Sequence, residues 1–247
     1  MNEIDAIKNY LSAAGLKHFD LQAALIDMDG VLYDSMRNHT AAWYRMATEM
    51  GIECCRDEFY LYEGMTGAAT IDILFNRAYG RCATADEARE LYARKALYFT
   101  ELGAPVMMPD ADRMLSTLKI SGLRRVLVTG SGQQSILDRI DRDYPGIFLP
   151  GKRVTARNVT HGKPHPEPYL KGAEMAGCQA CQCMVIENAP LGVQAGKDAG
   201  CFTVAVTTGP IPRERMVESG ADVVYGSMTE FAQALPNLIA ACRTTTL

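Results

Sequence analysis

The 247-residue sequence contains no concentrated run of basic residues and no long apolar segment. Its formal net charge of −4 argues against a nucleic-acid partner, because binding a phosphate backbone usually needs a basic face. The N-terminal segment MNEIDAIKNYLSAAGLKHFDLQ lacks the basic start, apolar centre and cleavage site of a signal peptide. No stretch is long and apolar enough to span a bilayer. We therefore expect a cytoplasmic protein, a monomer, with neither a nucleic-acid nor a membrane partner.

Zinc-finger spacing is also missing, although the chain has eight cysteines. Cys178, Cys181 and Cys183 lie close together, but a metal site there would need further ligands, and no matching Cys or His pair follows. Reduced thiols near the start of a buried strand are the more ordinary interpretation, and they suit a reducing compartment. Any role of this cluster stays open at this point.

Short apolar runs, each followed by a polar residue, recur along the chain and alternate with helical patterns such as 111–119 and 191–199. The runs are 23–26, 126–128, 184–186 and 202–206, followed by Asp27, Thr129, Glu187 and Thr207. This alternation indicates buried strands of a parallel sheet. We predict an α/β protein with a Rossmann-like parallel sheet and helices on both faces. Because ligands bind at the carboxyl ends of such strands, Asp27, Thr129 and Glu187 are expected at one rim.

Residues 34–104 differ, because they show helical patterns without a convincing strand. The predicted helices are 39–50, 57–63, 70–78 and 86–100. We predict a helical cap at 34–104, inserted after the first strand into a core formed by 1–33 and 105–247. Residues 1–20 are predicted to be an amphipathic helical extension of that core, with apolar residues at helical spacing: Ile4, Ile7, Tyr10, Leu11 and Leu16.

Two aspartates one residue apart, Asp27 and Asp29, follow the first apolar run in the segment DMDGVLYDS. In a straight extended chain, alternate residues such as these two aspartates would lie on one face. Gly30 permits a turn instead, which would separate the positions of the two carboxylates. One carboxylate can then face a substrate while the other lies above it. Such a pair suits two distinct roles, a nucleophile and a general acid.

This segment resembles the first motif of the haloacid dehalogenase (HAD) superfamily. The other motifs of that family follow in order: Thr129 in VLVTGSG, Lys163 in GKPHPEPY, and Glu187 with Asn188 in VIENAPLGVQAGKDAG. The helical insertion matches the C1 cap of the superfamily. The resemblance is greatest to the β-phosphoglucomutase-like subgroup, which includes phosphatases, mutases and inorganic pyrophosphatases, and the pattern is most similar to the pyrophosphatases.

The resemblance implies a Mg²⁺-dependent mechanism with an aspartyl-phosphate intermediate. Asp27 would attack phosphorus, and Asp29 would protonate the leaving oxygen and then assist water. Thr129 and the Gly130 amide, at a helix N-terminus, would bind the phosphoryl group, while Lys163 would offset its charge.

Mg²⁺ would be held by Asp27, the Asp29 carbonyl and Asn188, with Glu187 supporting the site. Family members often carry aspartate at the position of Asn188, so the amide predicts weaker metal binding.

The cap is expected to select the substrate. His39 and Trp43 match positions of the β-phosphoglucomutase pattern, although such a histidine is often a packing residue. The mutases carry a Lys-Gly-x-Ser-Arg segment, where this chain has Glu63 and, in place of the arginine, Gly67. Lys95 or Arg94 could supply part of the missing positive charge. Glu63 itself could be only a solvated residue at a helix end.

We therefore expect a phosphohydrolase for a small phosphorylated substrate, with inorganic pyrophosphate preferred and small phosphomonoesters next. The alternatives are a β-phosphoglucomutase and a non-catalytic protein that binds a phosphorylated metabolite.

Overall fold

The computed structural model describes residues 2–149 and 151–247. Within them, one sheet contains six strands, all parallel to their neighbours. In spatial order these are β5 (Arg153–Val154), β4 (Arg124–Val128), β1 (Ala23–Ile26), β6 (Cys183–Glu187), β7 (Phe202–Val206) and β8 (Val223–Tyr225). The predicted parallel sheet is confirmed. Strand β1 lies between β4 and β6, where the strand order reverses, and a crevice forms at the carboxyl ends of strands at such a point.

Successive residues of a strand point to opposite faces of the sheet, and here the residues on both faces are apolar. Helices therefore cover both faces. Ala24 and Ile26 belong to one apolar cluster, and Ala23 and Leu25 belong to the other. The helices outside the insertion are α1 (Glu3–Ala14), α5 (Ala111–Ile120), α6 (Gln134–Asp143), α7 (Glu167–Ala176), α8 (Pro190–Asp198), α9 (Arg213–Glu218) and α10 (Met228–Thr244).

Helix α1 packs on the core, as predicted for the N-terminal segment. The Tyr10 hydroxyl donates to the Gly200 carbonyl, and its ring lies 5.4 Å from that of Phe202. The predicted apolar face is wrong at Ile4, which is 51% exposed because the helix buries its second and third turns instead.

The helical insertion contains α2 (Met36–Glu49), α3 (Gly67–Tyr79) and α4 (Ala85–Glu101). It is flanked by two strands that the sequence did not predict, β2 (Tyr33–Asp34) and β3 (Val106–Met107), which pair antiparallel. The boundaries proposed at 33/34 and 104/105 fall at or next to this pair, and the division into core and cap stays a proposal.

The helix predicted at 57–63 is wrong. A short 3₁₀ turn, Arg56–Tyr60, takes its place, and the chain reverses through Gly64, whose φ is +89°. Only glycine adopts this conformation without strain, so the helix ends early and Glu63 lies in a turn.

None of the described helices is long and apolar enough to cross a membrane. The eight cysteines are free, and Cys178, Cys181 and Cys183 do not belong to any metal-ligand cluster in the described part of the chain.

Candidate active site

Asp27 follows directly on β1, and the next residues turn sharply. Gly30 has a φ of +82°, and the amides of Val31 and Leu32 both donate to the Met28 carbonyl. The turn brings Asp29 to the same cavity as Asp27, as the sequence predicted. A Cβ atom at Gly30 would lie 1.9 Å from Nδ2 of Asn188, so the close approach of these two loops requires glycine.

Lys163 is buried beside the nucleophile candidate. Its Nζ lies 2.5 Å from Oδ1 of Asp27 and 2.6 Å from Oε1 of Glu187, and it also donates to the Val128 carbonyl. Burial opposes its charge, but the two carboxylates raise the pKa of Lys163 above its ordinary value. Lys163 is therefore a fixed positive charge beneath Asp27.

Glu187 binds protein donors through both of its oxygens. Oε1 accepts from Lys163 and from the Tyr169 hydroxyl, at 2.7 Å, and Oε2 accepts from the amides of Asn188 and Ala189. Glu187 does not line the cavity. These bonds position Lys163 and the turn that carries Asn188.

The second aspartate belongs to a chain of hydrogen bonds that enters the cap. Oδ1 of Asp29 lies 2.5 Å from the Ser35 hydroxyl and 3.0 Å from Nε2 of His39, and Nδ1 of His39 lies 2.5 Å from Nζ of Lys95. An ammonium group only donates, so His39 accepts at Nδ1 and donates from Nε2 to Asp29. Burial and the charge of Lys95 lower the pKa of His39, which keeps the ring neutral.

These neighbours set the charge of Asp29. Burial opposes its ionisation, but His39, Ser35 and Lys95 lower the pKa of Asp29 below its ordinary value. Asp29 is therefore ionised before substrate binds. An arriving phosphate dianion raises the pKa of a nearby carboxylate, and this is how Asp29 can acquire the proton that a general acid needs.

Lys95 and Glu63 bring two opposite charges from the cap to the cavity. Lys95 is buried, and burial lowers its pKa to about 8 although Glu63 and Asp29 oppose the shift. Glu63 is half-buried and lines the cavity, so it is not merely a solvated residue at a helix end. Burial and the charge of Asp29 raise the pKa of Glu63, with Lys95 opposing.

Tyr92 fills the space that a side chain at position 67 would need. A Cβ atom at Gly67 would lie 2.1 Å from Cδ2 of Tyr92, and the Tyr92 hydroxyl accepts from the Gly132 amide at 3.1 Å. The sequence analysis missed Tyr92. Its position one helical turn before Lys95 on α4 is the signal that could have found it.

The turn at 64–66 of the cap packs directly on glycines of the core. A Cβ atom at Gly130 would lie 2.4 Å from the Gly64 carbonyl oxygen, and one at Gly162 would lie 2.7 Å from Cγ2 of Thr66. The cavity between them measures about 40 Å³, room for only a few water molecules. The structure is thus a closed form of the site.

Most of the predicted site residues line this cavity: Asp27, Asp29, His39, Trp43, Glu63, Lys95, Gly130 and Asn188. Thr129 and Lys163, like Glu187, lie behind the lining. The Trp43 ring packs 5.1 Å from Nζ of Lys95. Arg94 pairs with Glu90 and lies outside the cavity, so Lys95 is the cap cation at the site.

The loop after β4 differs from its predicted form. Helix α6 begins only at Gln134, so Gly130 is not at its N-terminus. The Thr129 and Ser131 hydroxyls instead accept from the amides of Ser131 and Gln133, which holds the loop in two successive turns. Among the described residues, the Thr129 hydroxyl proton has no acceptor.

The donor atoms that remain suit a hard divalent cation. Lys163 occupies Oδ1 of Asp27, and Nδ2 of Asn188 donates to the Met36 sulfur. The other oxygens of Asp27 and Asn188, at one edge of the cavity, are the ligand type that Mg²⁺ prefers. Burial raises the pKa of Asp27, with Lys163 opposing and Glu187 and Asp29 adding to the shift.

The charged groups of the site also favour a divalent cation. Four carboxyl groups, those of Asp27, Asp29, Glu63 and Glu187, lie around two ammonium groups, those of Lys95 and Lys163, and burial raises the pKa of Asp27 and of Glu63, so that protons offset part of the negative charge. A divalent cation could take the place of those protons, and its charge would favour the entry of a phosphate.

Comparison with known proteins gives a consistent family. The model of the haloacid dehalogenase-like hydrolases matches residues 21–200. Hexitol phosphatase A of Escherichia coli is 32% identical over 206 residues, which cover 83% of this chain and 91% of that protein. β-Phosphoglucomutase of Bacillus subtilis is 29% identical, covering 76% and 84%. The solved structure described as "Putative beta-phosphoglucomutase from Bacteroides vulgatus" is 42% identical with a TM-score of 0.94, covering 98% of both chains.

Proposed function

This chain belongs to the haloacid dehalogenase-like hydrolases and is an enzyme of phosphoryl transfer, and from that premise we propose that it is a magnesium-dependent phosphohydrolase with Asp27 as its nucleophile. The observation that carries this proposal is the arrangement around Asp27. Its carboxylate follows β1 at the switch point of the sheet, Lys163 lies 2.5 Å from it, and Asp29 lines the same cavity. A nucleophile, a fixed cation and a second carboxylate are the groups that a two-step displacement needs.

The reaction divides between the two aspartates. An oxygen of Asp27 forms a bond to phosphorus as the bond to the leaving oxygen breaks, and Asp29 gives that oxygen its proton. Asp29, now a carboxylate, takes a proton from water as the water oxygen attacks the aspartyl-phosphate, which frees phosphate and restores Asp27. Thr129 and the Gly130 amide donate to the phosphoryl oxygens.

The proposed metal ligands are Asp27, Asn188 and the Asp29 carbonyl, and the bound ion would supply positive charge to the phosphoryl oxygens. Glu187 supports this site through Lys163 and the turn at Asn188 rather than as a ligand, because both its oxygens accept from protein donors.

For the substrate, we propose a compact phosphate, with inorganic pyrophosphate preferred and small phosphomonoesters next. A cavity of about 40 Å³ in the closed form favours a small ligand. The cap presents Glu63 to the reaction centre, and a carboxylate there can engage a cation on the leaving phosphate but gains little from an uncharged leaving group. The neighbouring Lys95 can attract that phosphate.

A second candidate is a sugar or polyol monophosphate, which the similarity to hexitol phosphatase A favours. The similarity to β-phosphoglucomutase supports a mutase as a further alternative. A mutase must hold a second phosphate ester in the cap, and the Tyr92 ring fills the position where the mutase pattern has its arginine. This is the argument for a hydrolase over a mutase.

A phosphate-release assay tests the proposal. We expect Mg²⁺-dependent release from pyrophosphate, hexitol 6-phosphates and simple monoesters, with pyrophosphate giving the highest kcat/KM. Asp27→Asn should keep the fold, measured by circular dichroism, and lose turnover. Retention of a tenth of the activity would refute the nucleophile, and faster isomerisation of glucose 1-phosphate than any hydrolysis would establish the mutase.

A further inference from the structure

The loop 160–167 has two faces. Its inner face carries Lys163, which is buried beside Asp27. Its outer face carries His161 and His165, both exposed, and the half-buried Glu167 at the start of α7. The mechanism uses only the inner face, so the function proposed for the site leaves the outer residues unexplained.

The outer residues are close enough to share one ion. One ligand atom from each of His161, His165 and Glu167 lies within 4.8 Å of the other two, and the imidazole rings are 4.7 Å apart. Nδ1 of His161 lies 3.2 Å from Oε2 of Glu167. Small rotations of two exposed side chains would bring three ligands around an ion at about 2.0–2.2 Å.

The donor set selects the kind of ion. Two imidazoles and one carboxylate are ligands of zinc and its neighbours in the transition series, whereas Mg²⁺ prefers oxygen and keeps its water. We propose that His161, His165 and Glu167 form a second metal site, for a divalent transition-metal ion of the zinc class, separate from the catalytic cation.

Glu167 is preorganised for this role. Its Oε1 accepts from the Thr160 amide at 2.9 Å and its Oε2 from the His161 amide at 2.8 Å, so the carboxylate is held between the two ends of the loop. These bonds and Lys171 lower the pKa of Glu167 to about 2.

A bound metal ion would displace contacts that these side chains make without it. The metal replaces the contact between His161 and Glu167, and it competes with Lys171 for Oε1 and with the Glu167 amide for Nδ1 of His165. In return it joins residue 161 to residues 165 and 167 across Lys163. The bound ion therefore stabilises the loop that positions the catalytic lysine.

Titration with Co²⁺ in millimolar Mg²⁺ tests this site, because Mg²⁺ then occupies the oxygen-ligand site. We expect one equivalent of bound Co²⁺ with the weak visible bands of nitrogen and oxygen ligands. His161→Ala/His165→Ala should lose it, and the single variant His165→Gln should weaken it at least about tenfold. His18→Ala, which removes an exposed histidine elsewhere, is the matched control and should bind as the wild type does.

Zn²⁺ should also raise the thermal midpoint of the wild type by about 2–4 °C, but not that of the double variant. The absence of binding, unchanged binding in the double variant, or an intense cobalt–thiolate band from the cysteines would each overturn the proposal. Phosphohydrolase activity of the double variant in Mg²⁺ shows that it has folded. A metal site without any phosphatase activity would refute the proposed function and leave this site standing.

Discussion

At the scale of single residues, the cap governs the charge state of the catalytic centre. Asp29 is hydrogen-bonded to His39, and His39 is hydrogen-bonded to Lys95. Lys95 in turn lies near Glu63. The proposed nucleophile Asp27 and Lys163 lie outside the insertion, but the charge of Asp29, the proposed general acid, depends through His39 on Lys95 of α4, more than 60 positions away. If the insertion closes over a substrate as proposed, closure would also bring Lys95 to the His39–Asp29 pair.

Lys95 should produce a basic limb in the pH profile. Its pKa is lowered to about 8, so it is mostly charged below that pH and loses its proton above it. We expect kcat/KM to fall above pH 8. Lys95→Met should lower kcat/KM by about 10- to 100-fold at pH 7 and remove this limb. A limb that persists in the variant would assign it to another group.

The same shift has a consequence for stability. The folded pKa is below the unfolded value of 10.5, so the charged lysine costs stability in full below pH 8. That cost fades as the pH rises from 8 towards 10.5. Urea unfolding of the wild type and of Lys95→Met should therefore differ most at neutral pH, with the variant gaining there.

Glu63 should discriminate between substrate classes. Pyrophosphate leaves as a phosphate that carries bound cations, whereas a sugar phosphate leaves with a hydroxyl. We expect Glu63→Ala to lower kcat/KM for pyrophosphate at least about tenfold, or ~1.4 kcal/mol, and to change hydrolysis of simple monoesters much less. Equal losses for both classes would make Glu63 structural and remove the main support for pyrophosphate.

At the scale of elements, the fit between the cap turn at 64–66 and the core loops depends on missing side chains. Gly130 and Gly162 let this turn approach to a distance that no Cβ atom tolerates. The antiparallel pair β2–β3 joins the insertion to the sheet at both of its ends. Motion of the insertion about this pair would open and close the site without disturbing the sheet.

Gly162→Ala should hinder closure, because the new methyl group would lie 2.7 Å from Cγ2 of Thr66 and 3.1 Å from its amide nitrogen. We expect kcat/KM to fall about tenfold with little change in the thermal midpoint, since the nearest atoms to the new methyl group all belong to Thr66 of the insertion. Gly132→Ala is the matched control: its methyl group would meet only Ala156 and the Tyr92 hydroxyl, at 3.7 and 3.9 Å. Similar losses in both variants would contradict closure as the cause.

At the scale of the whole molecule, the sheet gathers charges that no single segment carries. Asp27, Glu187 and Lys163 come from three distant parts of the chain, and the cap adds Glu63 and Lys95. The protein as a whole has a formal net charge of −4, and at this site the carboxyl groups outnumber the ammonium groups by four to two. A cation is therefore expected to stabilise the closed form.

Metal removal tests this balance. EDTA should abolish activity and Mg²⁺ should restore it. Asn188→Asp should lower the Mg²⁺ concentration that gives half of full activity, because it adds a charge at short range. The raised pKa of Asp27 makes protons compete with the ion, so this concentration should rise as the pH falls. An unchanged titration in the variant would place Asn188 outside the metal shell.

The sequence alone was enough for the parallel sheet, the helical insertion and the four ordered motifs. Buried strands are continuous apolar runs, and the proposed catalytic residues follow directly on those runs, so both are local signals. Ile4, the helix at 57–63 and the helical position of Gly130 were wrong because each depends on where a helix begins or ends. Such ends are decided by single turns and by packing.

Only the tertiary structure decided which cap residues reach the site. The hydrogen bonds from Asp29 through His39 to Lys95, the Tyr92 ring beside Gly67, and the occupied oxygens of Glu187 are contacts between residues far apart in sequence. The outer face of the 160–167 loop is another case, because the side chains of His161, His165 and Glu167 lie together only once the loop has turned. Side-chain proximity across elements follows from packing, and periodicity along the chain does not encode it.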